Sequence, residues 1–155
     1  MKLQGKTFDG PNEEFLVIPR KGQDLIFKAR AVLDYEEFNR LVQKPKPPKA
    51  IKPGGEAQLL TTDAGYLQQL DAWATAQTNY LILKSLEATP DLEWETVKMD
   101  DPSTWDNWRS ELDKAFFTDR EKTRIVNLVW AANGIDDEKL EEARKRFLAG
   151  QAAQE

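Results

Sequence analysis

A chain of 155 residues, 40% hydrophobic and 32% charged, suffices for one ordinary domain or for a small module joined to a slightly larger one, but not for two large cores. It contains neither cysteine nor histidine, which removes disulfides, thiolate metal sites, Ser-His-Asp triads and the commonest zinc ligand. The net charge of -5 argues against a general affinity for nucleic acid or an anionic membrane, both of which require a basic footprint.

The start, MKLQGKTFDG, lacks the apolar core of a signal peptide, and no run approaches the length of a membrane span, so a cytoplasmic location is expected. The next stretch reads as β. Two runs rich in β-branched and aromatic residues, Phe15 to Ile18 and Asp24 to Val32, are separated by PRKGQ and predict a hairpin. In the second run Leu25, Phe27, Ala29 and Ala31 share one face and Lys28 and Arg30 the other, the alternation of a half-buried strand. Asp34 and Glu37 stand at capping-box spacing ahead of a short helix whose Phe38, Leu41 and Val42 would cover that face. Two strands and a short helix are marginal alone, so further pairing is expected from KTFDG, from another chain or from the helical part.

Gln43 to Glu56, QKPKPPKAIKPGGE, reads as a semi-rigid strap, because proline removes backbone N–H groups and restricts the residue before it. A polyproline ligand resting on Pro45, Pro47 and Pro48, and a nucleic-acid arm resting on Lys44, Lys46, Lys49 and Lys52, are the weaker alternatives. Asp63 then opens one long helix that runs without proline from Ala64 to Thr89. Its second half, NYLILKSL, is apolar nearly all round and demands burial on more than one side, against its own domain or against a partner. DLEWETVKM, after Pro90, is compatible with a short edge strand or an extended strap.

Three helices are expected in the last third. Asp101 caps the first, with Pro102 at its first position and Trp105, Trp108, Leu112 and Ala115 inward. Thr118 and Glu121 form a capping box for the second, whose stripe is Ile125, Leu128, Val129 and Ala132 and whose stop is Gly134. Asp136 caps the third, with Leu140, Ala143 and Phe147 inward and Gly150 as stop, leaving QAAQE as a frayed tail. The expected class is α+β: a β-rich module with a short helix over residues 1–43, a strap over 44–62, a helical module over 63–150 ending in a compact three-helix unit, and a tail over 151–155.

Catalytic equipment is hard to find. GKT at Gly5 to Thr7 resembles the end of a phosphate loop, but the first glycine would precede residue 1 and no strand leads into it. Pro90 and Asp91 with Asp137 to Lys139 can be forced into a magnesium nuclease pattern, yet the second element opens a helix, where capping and the helix dipole account for the carboxylates. No catalytic, cofactor-binding or metal-binding residue is assigned, and no cofactor is expected. Trp105, Trp108 and Trp130 fall on inward stripes, whereas Trp73 and Trp94 are candidate interface anchors. With Tyr80, Leu81 and Leu83 from the apolar half of the long helix, they make up the candidate partner-binding set.

The order of VIPRKGQDLIFKARAVLDYEEF, PKPPKAIKPGGE, LKSLEAT, LEWETVKMDDPSTWDNWRSEL and NGIDDEKLEEARKRFLAG resembles the tail assembly chaperones of long-tailed bacteriophages, over nearly the whole chain. The resemblance implies a non-enzymatic protein of the infected host's cytoplasm that binds the tape measure protein, keeps it soluble and recruits tail tube subunits. It supplies no catalytic positions and no residue-by-residue binding motif. Self-association is left open, and the competing expectations are a structural virion component of tail, neck or capsid and a host-directed inhibitory protein.

Overall fold

The computed structural model describes residues 1–153, and within them the chain is α+β. Gln154 and Glu155, the end of the expected tail, lie outside the described residues, while Gln151 and Ala152 belong to the last helix. Strands β1 (Lys2–Leu3) and β2 (Lys6–Thr7) form a minimal N-terminal hairpin that does not join the main sheet. The expected central hairpin is formed by β3 (Glu13–Ile18) and β4 (Leu25–Arg30), antiparallel with Leu16 opposite Phe27. The alternation holds: Phe27 and Ala29 are buried, Leu25 and Ala31 half-buried, and Arg30 faces out.

Helix α1 (Glu36–Leu41) buries Phe38 completely. Asp34 does not form the expected capping box with Glu37, because the helix begins two residues further on. Its carboxylate instead accepts from the Glu36 N–H at 3.1 Å, and Glu37 turns toward Lys84.

The strap is more ordered than its composition predicts. Residues 49–59 fold into a second small hairpin, β5 (Lys49–Ile51) and β6 (Ala57–Leu59), with Ala50 opposite Gln58. Gly54 and Gly55, both at positive φ, make the turn that lets the flanking residues meet. Lys52 N–H donates to the Glu56 carbonyl at 2.7 Å, and Leu60 N–H to the Pro48 carbonyl at 2.8 Å. Proline lacks the donor but keeps the acceptor, so Pro48 still closes the ladder.

Helix α2 (Ala64–Leu86) is capped as expected, with the Asp63 carboxylate accepting from Tyr66 N–H at 2.9 Å, but it ends before Thr89. Its apolar half is covered by its own chain. Tyr80 to Leu83, Ser85 and Leu86 are buried, with β4 and helix α4 (Asp119–Ala132) packed against them. Phe38, Tyr80 and Trp105 form the aromatic centre at ring separations of 5.5–6.0 Å. A single hydrophobic core therefore runs from the central hairpin through α1, α2 and the C-terminal helices.

Residues 90–101 contain no strand and form an irregular strap of turns and bends, with Asp91 at positive φ. The Glu111 carboxylate accepts from Glu95 N–H at 2.7 Å, from Thr96 N–H at 3.1 Å and from the Thr96 hydroxyl at 2.7 Å. The helix expected from Pro102 is divided: Asp101 caps a single 3-10 turn (Pro102–Thr104), and α3 (Asn107–Lys114) follows. Trp105 and Trp108 are fully buried, Trp108 donating to the Asn79 side-chain carbonyl at 3.0 Å. In α4 the Thr118–Glu121 capping box is complete, and Gly134 takes a positive φ at the stop.

Helix α5 (Asp137–Ala152) is capped by Asp136, whose carboxylate accepts from Lys139 N–H at 3.2 Å. It runs through Gly150 rather than stopping there, and it buries none of its residues. The expected inward stripe of Leu140, Ala143 and Phe147 thus faces solvent, and α3 and α4 close the core without it.

Candidate partner-binding surface

Of the five residues expected to touch a partner, three are inside the protein. Tyr80, Leu81 and Leu83 are at most 5% exposed, because the central hairpin and α4 cover the apolar half of α2. The all-round apolar pattern signalled burial but could not say which surface would supply it. Trp73 and Trp94 are half-buried and pack against the core from outside. The Trp73 ring lies 6.0 Å from Phe38, and the Lys44 ammonium sits over it at 5.1 Å from the centroid, which ties the proline-rich segment to α2.

One shallow groove runs between α1, α2 and the residues after β4, with Val32, Glu37, Tyr80 and Lys84 in its wall. Its polar groups are engaged with one another. Lys84 lies 3.2 Å from Glu37 and 3.3 Å from Glu87, and the Tyr80 hydroxyl donates to Glu37 at 3.4 Å. Burial works against the Lys84 ammonium, but bonds to Glu37 and Glu87 outweigh it and hold its pKa above the ordinary value. Burial, and then the Glu37 charge, push the Tyr80 phenol upward. At neutral pH the lysine is therefore charged and the phenol neutral, an arrangement suited to holding α1 against α2. No cluster of three or more Asp or Glu residues fit to hold a metal occurs among the described residues.

The apolar surface that remains bare lies elsewhere. On α5, Leu140, Phe147 and Leu148 are 55%, 61% and 49% exposed, and with Ala143 they follow the i, i+3, i+7, i+8 spacing of one helical face. Lys139 and Arg146 border this face on one side. Glu141 borders it on the other, 3.9 Å from Arg144, which lies within the face between Leu140 and Leu148, while Glu138 and Glu142 occupy the back. The sole ion pair between α5 and the sheet among the described residues is Lys139 to Glu14 at 3.6 Å, both half-exposed or nearly so. A second bare face lies on the outside of the central hairpin, where Phe15, Val17 and Ile26 are exposed and Val17 stands opposite Ile26.

Comparison with models of known families, with curated proteins and with solved structures returns no match.

The sequence pattern had already marked Leu140, Ala143 and Phe147, but as core. An amphipathic stripe announces that a face needs cover and is silent about whether the cover is intramolecular. Phe15 and Ile26 carried a fainter signal: they are large apolar residues on the polar-facing side of strands whose other face is buried.

Proposed function

We propose that this protein is a non-enzymatic tail assembly chaperone or adaptor, and that α5 is the element by which it holds a helical segment of the tape measure protein. The observation that carries the reading is a 16-residue helix with an apolar stripe and no buried residue. Helices of that length are marginal in water when left alone, and natural ones are stabilised by packing an amphipathic face. Leu140, Phe147 and Leu148 are about half exposed, so covering them would contribute about half of the 1.5–3 kcal/mol that full burial of such a side chain gives, roughly 1 kcal/mol each. A partner helix would insert its own apolar anchors along the Leu140–Phe147 seam. The basic border of Lys139 and Arg146 favours partner segments with acidic residues flanking their apolar positions.

The resemblance to tail assembly chaperones supports the same class of activity and names the tape measure and tail tube proteins as partners. The test is co-expression with the tape measure protein of the same genome. The reading requires a soluble complex with the full chain. It also requires that complex to be lost with Leu140→Glu/Phe147→Glu, a pair of substitutions at exposed positions that leaves the core untouched. A tape measure protein that stays insoluble, or a complex indifferent to the substitutions, rejects it.

A further inference from the structure

Basic charge is concentrated in one stretch of this acidic chain. Between Glu37 and Glu56 stand Arg40, Lys44, Lys46, Lys49 and Lys52 and no acidic residue, so the rest of the chain carries twice the overall net charge of -5. All five basic residues are exposed, and none forms an ion pair among the described residues. Lys44 is engaged with the Trp73 ring, which leaves Lys46, Lys49 and Lys52 free around the β5–β6 hairpin. Pro45, Pro47 and Pro48 stiffen the approach to the hairpin, and the β5–β6 ladder fixes its far end, so these like charges are held close together.

Apolar groups are displayed in the same place. Lys49 and Ile51 alternate with Ala50 along β5, and their cross-strand partners are Leu59 and Ala57. One face of the hairpin therefore carries Lys49, Ile51, Ala57 and Leu59. Ala50, on the opposite face, is the one residue from Lys49 to Leu59 that is half-buried, so the first face turns outward. On it Ile51 is 80% exposed and Leu59 53% exposed.

We propose that this hairpin is a docking surface for an acidic segment of another protein, one in which Asp or Glu is interspersed with apolar side chains. The unpaired lysines call for carboxylates, and bare Ile51 and Leu59 call for apolar cover between them. A nucleic-acid duplex would satisfy the lysines but offer nothing to Ile51 and Leu59, and its length would run against the acidic remainder of the chain. The hairpin has no aromatic side chain on which an unpaired base could stack. An anionic membrane is broader than the patch and meets the same repulsion from the acidic remainder. The surface is separate from α5, and the inference is independent of the role proposed for that helix.

Fluorescence anisotropy of labelled probes titrated with the full chain tests it. The probes are a peptide of repeating Glu-Glu-Ile, a poly-glutamate peptide of equal length and a DNA duplex, with phosphatidylserine vesicles followed by co-sedimentation. The Glu-Glu-Ile peptide should bind most tightly, and raising the salt from about 0.05 M to about 0.5 M should weaken it about tenfold. Lys46→Glu/Lys49→Glu/Lys52→Glu sets like charges against the probe and should weaken it about tenfold or more. Ile51→Ser should weaken the Glu-Glu-Ile peptide about tenfold and leave poly-glutamate unchanged. All four positions are exposed and outside the hydrophobic core, so these variants should melt as the wild type does. If the charge reversals lower the melting temperature, Lys46→Gln/Lys49→Gln/Lys52→Gln supplies the same comparison. Absence of peptide binding by the wild-type chain overturns the proposal. So does equal binding of the two peptides, binding indifferent to the lysine substitutions, or tighter binding of the duplex or the vesicles than of the Glu-Glu-Ile peptide.

Discussion

Replacing Thr89 by valine removes one hydroxyl and nothing else of consequence in shape, and that hydroxyl is the clasp between the central hairpin and the end of α2. Thr89 is 8% exposed and serves both main-chain groups of Lys28, accepting from its N–H at 2.9 Å and donating to its C=O at 2.8 Å. Valine fills the same space but leaves a donor and an acceptor unpaired beside an apolar surface. Each such group costs about 1–3 kcal/mol when fully shielded, and Lys28 is half-buried, so the substitution should destabilise the protein by about 2–3 kcal/mol. With a urea slope of about 2 kcal/mol/M, the unfolding midpoint should fall by about 1–1.5 M. Thr89→Ser, which keeps the hydroxyl, should recover most of the loss. A valine midpoint shift below about 0.3 M with unchanged slope would refute the assignment of Thr89 as the seal of the β4 edge.

Acid unfolding should reveal the Glu121 contact. The Arg20 guanidinium, 2.6 Å away, and the Thr118 backbone N–H hold the Glu121 carboxyl down to about 2. A carboxyl depressed in the folded state contributes stability that is complete above its unfolded value and is lost as pH falls through the folded one. Glu121→Gln should therefore flatten the decline of stability between about pH 4.5 and 2 and leave the slope above pH 6 unchanged, as measured by thermal melting. Glu111→Ala should release the strap at Glu95 and Thr96, lowering stability by about 1 kcal/mol and opening residues 90–99 to limited proteolysis while the core helices resist. Purified virus particles analysed by mass spectrometry should lack the protein if it acts as an assembly chaperone, and contain it in quantity if it is a structural component.

Features with a local cause were legible in the sequence. Asp63, Asp136 and the Thr118–Glu121 pair sit at helix starts because their side chains satisfy backbone donors a few residues on, although the same spacing at Asp34 and Glu37 forms no box because α1 starts at Glu36. The burial of Phe27 and Ala29 followed from strand alternation in the same way. Placement against distant elements was less legible. The apolar turns of α2 and the one-sided apolar stripe of α5 both ask for cover, yet one is covered by β4 and α4 and the other is bare. The hairpin at residues 49–59 was hidden because its three-residue strands are too short to show a period and its side chains are exposed. Its cause is the Gly54–Gly55 turn, a feature also compatible with a simple linker.

Capture of the tape measure protein by the full chain, compared with capture by Leu140→Glu/Phe147→Glu, bears most directly on the role proposed for α5. Wild type should yield a soluble complex, and the paired variant should yield none while keeping the circular dichroism and melting behaviour of the wild type. A variant that folds normally and still copurifies with the tape measure protein would contradict the account.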